Sequence, residues 1–148
     1  MRARDLAIRQ PVTIPADATL AEAAAVMDRK AVGSLLVVNG HGMVGIVTDR
    51  DLAVRALARR APLDGRVDSV MTTDVVTLAP DVDVREALKV LRRHAVRRVP
   101  LVEDGRPIGM VTTDDLLIAL IGDLSDLVRP IVGEAVFGHP EPRAPVPA

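Results

Sequence analysis

The feature that most constrains this chain is that it repeats itself. A segment beginning at Val12 returns at Val76, and the shift of about 64 residues holds without a gap over roughly 41 positions, of which about 15 are identical. Val12-Thr13-Ile14 lies over Val76-Thr77-Leu78, Glu22-Ala23 over Glu86-Ala87, and Ala31-Val32 over Ala95-Val96. Gly45-Ile46-Val47-Thr48 lies over Gly109-Met110-Val111-Thr112, and Asp51-Leu52 over Asp115-Leu116. The register extends backwards and sets Asp5-Leu6 over Ser69-Val70. One unit is too small to bury its own faces, so the two must cover each other.

Each unit carries the same local signals. Val12-Thr13-Ile14 and Val75-Val76-Thr77-Leu78 are β-branched runs and predict strands. Pro15-Ala16-Asp17 and Ala79-Pro80-Asp81 predict turns into a helix. Leu20, Ala23, Ala24 and Met27 share one helical face, as do Val84, Ala87, Leu88 and Leu91. Leu35-Leu36-Val37-Val38 and Val99-Pro100-Leu101-Val102 read as buried strands. Hairpin turns at Asn39–Gly42 and Glu103–Arg106 return each chain into a further strand, Val44–Val47 and Ile108–Val111. A closing helix follows, from about Asp49 to Leu57 and from about Asp114 to Ile121. The expectation is an α/β (α+β) fold of two β-α-β-β-α repeats related by a pseudo-two-fold, with residues 1–62 as one repeat and 63–128 as the other. Residues 129–148, proline-rich from Glu134 onwards, read as a disordered or extended tail.

Composition removes several function classes. The formal charge is -1, without the basic excess of a nucleic-acid binder, although Arg92-Arg93 and Arg97-Arg98 form a small cluster. There is one Phe and no Trp or Tyr, so base stacking on aromatic rings is nearly excluded. The absence of cysteine removes disulfides and thiolate metal sites, and His41, His94 and His139 lack ligand spacing. Asp49, Asp51, Asp114 and Asp115 read as solvated helix starts before they read as a Mg²⁺ site. No Walker loop, Rossmann glycine pattern or nucleophile elbow occurs, so no enzyme is expected. No signal peptide and no membrane-spanning run is found, which predicts a cytoplasmic chain.

Three motifs then carry a family likeness: the Val-Thr-Ile or Val-Thr-Leu strand before a turn, the run Ala95–Val102, and Gly-x-Val-Thr-x-x-Asp-Leu at Gly45–Leu52 and Gly109–Leu116. In order and in duplicate they resemble the cystathionine-β-synthase (CBS) domain family, over roughly residues 2 to 121, as the tandem arrangement known as a Bateman module. The resemblance implies a flat module with two clefts between the repeats. It also implies a ligand such as AMP, ADP, ATP or S-adenosylmethionine, no required cofactor, a homodimer, and a separate regulated partner.

The residues themselves leave alternatives open. Thr48-x-x-Asp51 and Thr112-x-x-Asp115 have the spacing of a helix cap, in which Thr and the acidic residue satisfy free backbone N–H groups. The same carboxylate can accept the hydroxyls of a ribose diol, the role that the resemblance implies. Arg97 and Arg98 precede a strand, where alternation predicts one pointing in and one out. They read either as surface or salt-bridged residues or as a phosphate clamp. The first repeat has Gly33-Ser34 in their place. By resemblance, Thr48, Asp51, Val76, Thr77, Arg97 and Arg98 make a phosphate-competent cleft, and Thr112, Asp115, Val12, Thr13, Gly33 and Ser34 a poorer one. The competing readings are a ligand-free dimeric scaffold and, third, a nucleic-acid-associated regulator using the arginine cluster.

Overall fold

The computed structural model of the 148-residue chain describes residues 1–6 and 10–137, with side chains as far as Arg129. The elements follow the expected order. A short helix α1 (Ala3–Leu6) precedes β1 (Thr13–Pro15), α2 (Leu20–Lys30), β2 (Ser34–Asn39) and β3 (Gly42–Thr48). Helix α3 (Asp49–Asp51) runs on through a π turn at Leu52–Ala56 and a 3-10 turn at Leu57–Arg59. The second unit has a 3-10 turn at Val67–Ser69, then α4 (Val84–His94), β4 (Arg98–Glu103), β5 (Arg106–Thr112) and α5 (Thr113–Phe137).

The repeat is legible in fine detail. Helix α2 ends at Ala31 and α4 at Ala95, both left-handed with φ 51°. Both hairpins are antiparallel, and both shift register at the same place, Val37/Val38 in one and Leu101/Val102 in the other.

Two expectations are corrected. Val75–Leu78 does not form a strand; only Leu78 bridges Leu101 in parallel fashion. In the first repeat, β1 pairs with β2 from Thr13 to Pro15, flanked by bonds from Leu36 N–H to the Val12 carbonyl (2.9 Å) and from Ala16 N–H to Val38 (2.9 Å). The corresponding donors in the second repeat are Pro100 and Pro80, which have no N–H, so the ladder shrinks to the two bonds made by Leu78. The second correction concerns the C-terminus. The helix begun at Thr113 continues to Phe137, past the expected end at Ile121 and through the start of the expected tail. The rest of that tail, 138–148, lies outside the described residues.

Two hydrophobic cores form, and the chain crosses between them. The first is built around Ile14, Leu20, Leu35, Val37 and Val47, and it also takes Val67 and Val70 from beyond the linker. The second is built around Leu78, Leu91, Val99, Leu101 and Val111, and it takes Ala3 and Leu6 from the N-terminus. The exchange is reciprocal at the level of single bonds. Val67 N–H donates to the Ala18 carbonyl (2.8 Å), and Ala3 N–H donates to Val82 (2.8 Å). Thr19 bridges Arg66, as Asp83 bridges Arg2. This is the pseudo-two-fold expressed in backbone contacts. Gly45 is needed at the same junction, because a Cβ there would lie 2.8 Å from the Thr72 carbonyl oxygen where Thr72 bridges Ile46.

Candidate ligand-binding site

Each closing helix starts at a Thr-x-x-Asp turn, and both turns are built alike. Thr48 sits in extended conformation as the N-cap, with its backbone N–H and hydroxyl both donating to Asp51 Oδ2 at 2.9 Å. Asp51 N–H donates back to Thr48 Oγ1 at 3.1 Å. In the second repeat, Thr112 N–H and Oγ1 donate to Asp115 Oδ2 at 2.9 and 2.7 Å, and Asp115 N–H returns to Thr112 Oγ1 at 3.2 Å. The capping arrangement is therefore formed twice. Each Thr hydroxyl gives its single proton to its own Asp, so it has none to offer a ligand. The outer oxygen, Oδ1, is left out of the cap in both repeats.

The two outer oxygens have different surroundings. Arg55, one helical turn after Asp51, sets its Nε 3.4 Å from Asp51 Oδ1. Its Nη1 donates to the Val70 carbonyl (2.9 Å) and to Thr72 Oγ1 (3.1 Å). The matching position in the second repeat is Ala119, and Asp115 Oδ1 has no hydrogen-bond or ion-pair partner among the described residues. Arg55 is a site residue that the repeat and its motifs do not reveal. An acidic residue followed four positions later by Arg on a helix is the signal that could have found it.

Ser34 lies opposite Thr48 in the first hairpin, and Arg98 opposite Thr112 in the second. Asp49 N–H donates to the Gly33 carbonyl (3.1 Å), and Thr113 N–H to that of Arg97 (3.0 Å). Arg98 reaches across the repeats to Ser34, its own counterpart, through a long 3.4 Å contact from Nη1 to Oγ. The expected alternation at the arginine pair is not seen. Arg97 and Arg98 are both exposed, because Arg97 lies before β4 and Arg98 opens it at its margin.

Val12 and Val76 are half-buried against the first and second cores, and Thr13 and Thr77 are exposed. The Val12 carbonyl is used by Leu36, whereas that of Val76 has no backbone partner among the described residues, since Pro100 cannot donate. Pro100 thus leaves the Val76 carbonyl open in the second repeat, where the first repeat closes that of Val12. A groove of about 530 Å³ lies elsewhere, between β1 and α2, lined by Ile14, Pro15, Asp17, Glu22 and Arg29; it contains none of these site residues. Among the described residues no helix is long and apolar enough to cross a membrane, and no group of His, Asp and Glu stands in metal-ligating array.

Two units with the same element order, each with a Thr-x-x-Asp turn at the start of its closing helix, define a tandem-repeat α/β module. The CBS-domain model matches residues 3–57 and again 67–122, and the chain belongs to the CBS-domain family. It is 31% identical over 115 residues to a CBS domain-containing protein, YhcV of Bacillus subtilis, covering 78% of this chain and 82% of that one. It is 35% identical over 117 residues to an inosine-5'-monophosphate dehydrogenase of Nitrosopumilus maritimus, where the match spans 78% of this chain but 23% of the enzyme. The CBS domain pair of protein MJ0100, solved with 5'-methylthioadenosine and S-adenosyl-L-methionine, superposes with a TM-score of 0.71 at 26% identity, covering 83% of this chain and 98% of that one.

Proposed function

We propose that this CBS pair is a non-catalytic, cytoplasmic regulatory module that binds an adenosine-type ligand (AMP, ADP, ATP or S-adenosylmethionine) between its repeats. The observation that carries this reading is the duplicated Thr-x-x-Asp turn, in which the cap consumes one carboxylate oxygen and leaves the other outside it. A carboxylate held in this way is preorganised to accept a ribose hydroxyl. The ligands of the MJ0100 pair support the same class. Thr48, Asp51, Val76, Thr77, Arg97 and Arg98 form the cleft with phosphate capacity, and Thr112, Asp115, Val12, Thr13, Gly33 and Ser34 the cleft without it. The exposed guanidinium of Arg98 and the open Val76 carbonyl favour that division.

The test is calorimetric titration with the four ligands, beside melting curves. A ligand of the native state raises the melting temperature by mass action. Asp51→Ala or Asp115→Ala weakens binding at its own cleft by roughly ten- to a hundredfold, since hydrogen bonds to a charged group are lost. Arg98→Ala weakens ATP or AMP binding more than adenosine binding. Absence of binding with all four ligands would sink the reading and leave the ligand-free scaffold.

The module assembles, on this reading, as a homodimer through its closing helices. Val54 and Leu57 are 49% and 74% exposed, and their counterparts Ile118 and Ile121 are 70% and 55% exposed, so both repeats present apolar side chains at the same positions. A stable monomer by light scattering at micromolar concentration would overturn this.

A further inference from the structure

We propose that Arg55 determines the order in which the two carboxylates take a ligand: it holds Asp51 closed while Asp115 stays open. The inference rests on the adenosine reading above and adds to it a specificity-determining residue.

A carboxylate offers about four lone-pair sites, two on each oxygen. In both repeats Oδ2 already accepts two hydrogen bonds, from the Thr N–H and the Thr hydroxyl. A ribose diol brings two donors, so it depends on Oδ1. At Asp115 that oxygen has no partner among the described residues. At Asp51 it faces the Arg55 guanidinium at 3.4 Å, and the Asp51 side chain is left 15% exposed.

Arg55 does not drift over this oxygen. Its Nη1 is tied to the Val70 carbonyl and to Thr72 Oγ1, and Thr72 is fixed in turn by paired backbone bonds with Ile46 of 2.8 and 2.9 Å. The helix is also shaped differently here. Arg55 lies within the π turn Leu52–Ala56, whereas the second repeat continues as regular α-helix and carries Ala119, whose methyl group cannot reach Asp115. Local π turns in helices are frequent at functional sites. A nucleoside at Asp51 must therefore move an anchored guanidinium that a nucleoside at Asp115 does not meet. The arginine pair Arg97-Arg98 acts on phosphate and leaves this difference untouched for an uncharged ligand.

The test isolates each carboxylate and uses adenosine, which has the diol and no phosphate. In an Asp115→Ala background, adding Arg55→Gln tightens adenosine binding by roughly tenfold, the scale set by one partly exposed ion pair with its anchoring hydrogen bonds. Gln keeps much of the side-chain stem, so folding is preserved, and Arg55→Lys, which retains a cation for Asp51, shows a smaller gain. In an Asp51→Ala background, Arg55→Gln changes nothing. Equal or weaker adenosine binding on Arg55→Gln in the Asp115→Ala background overturns the role of Arg55, including the case in which AMP binds and adenosine does not. That result leaves the ligand class standing. No binding of adenosine or of any of the four ligands, in any of these proteins, overturns both.

Discussion

The two repeats share a backbone plan and differ in what is attached to it. In the first, β1 joins a three-stranded sheet; in the second, two strands stand with a single parallel bridge beside them. In the first, Arg55 lies against the capping Asp; in the second, Ala119 leaves it open. In the first, Gly33-Ser34 offers no charge; in the second, Arg97-Arg98 does. Duplication preserves the cap geometry, which local bonding enforces, while single side chains at equivalent positions differ between the two repeats.

The largest effect is expected when the first repeat is given the proline of the second. Leu36→Pro removes the Leu36 N–H bond to Val12 at a fully buried position of the central strand β2, and the lost bond, the unpaired carbonyl and the lost leucine packing together should cost about 3 kcal/mol in denaturant unfolding. Pro100→Leu restores a donor opposite Val76; its stability effect should stay within about 1.5 kcal/mol, with the new amide protected from hydrogen exchange. If Leu36→Pro is neutral, the proline explanation of the missing strand is wrong.

Next in size is the exchanged segment. Val67 is fully buried in the first core, where its counterpart in the second core is Ala3. Val67→Ala copies the smaller residue and should destabilise the chain by about 2 kcal/mol, because two buried methyl groups leave a cavity. A change within the error of the melt would mean that residues 67–70 are not part of the first core.

Smaller again are the caps. Asp115→Ala should cost about 1 kcal/mol of stability through the lost cap. Asp51→Ala should cost a few tenths of a kcal/mol more, since it also strips Arg55 of its ion pair. Equal losses would show that the Arg55 contact contributes nothing in solution.

The smallest effect concerns charge. The hydrogen bond from the Arg66 guanidinium holds the Asp68 carboxyl below the usual carboxylate range, and it raises the Arg66 pKa in return. A depressed acid pKa stabilises the fold above the unfolded value, and that contribution fades as pH falls through the folded value. Both groups lie at the surface, so the stability change is slight and the readout is the titration itself. Arg66→Ala should return Asp68 to the ordinary range by NMR, and an unchanged midpoint would show that the pair does not form.

Much of the architecture was readable in the sequence because it depends on local rules that act twice. Apolar spacing placed α2 and α4, turn residues placed the hairpins, and Thr-x-x-Asp placed the starts of the closing helices. Each needs contacts only within a few residues. The rest depended on groups far apart in the chain. Val75–Leu78 has the composition of a strand, but Pro100 on its neighbour and Pro80 just beyond its own end lack the N–H groups that would extend the ladder past Leu78. Arg97 and Arg98 alternate in sequence, yet both are exposed because they stand at the margin of β4. The exchange of Ala3 and Leu6 for Val67 and Val70 was decided by which core had room, a matter of packing that no periodicity records. The state of Asp51 was decided in the same way. Its residue type and cap were written in four consecutive residues, but the Arg55 guanidinium that covers it is held by Val70 and Thr72, which reach the site only when the linker folds back onto the first repeat.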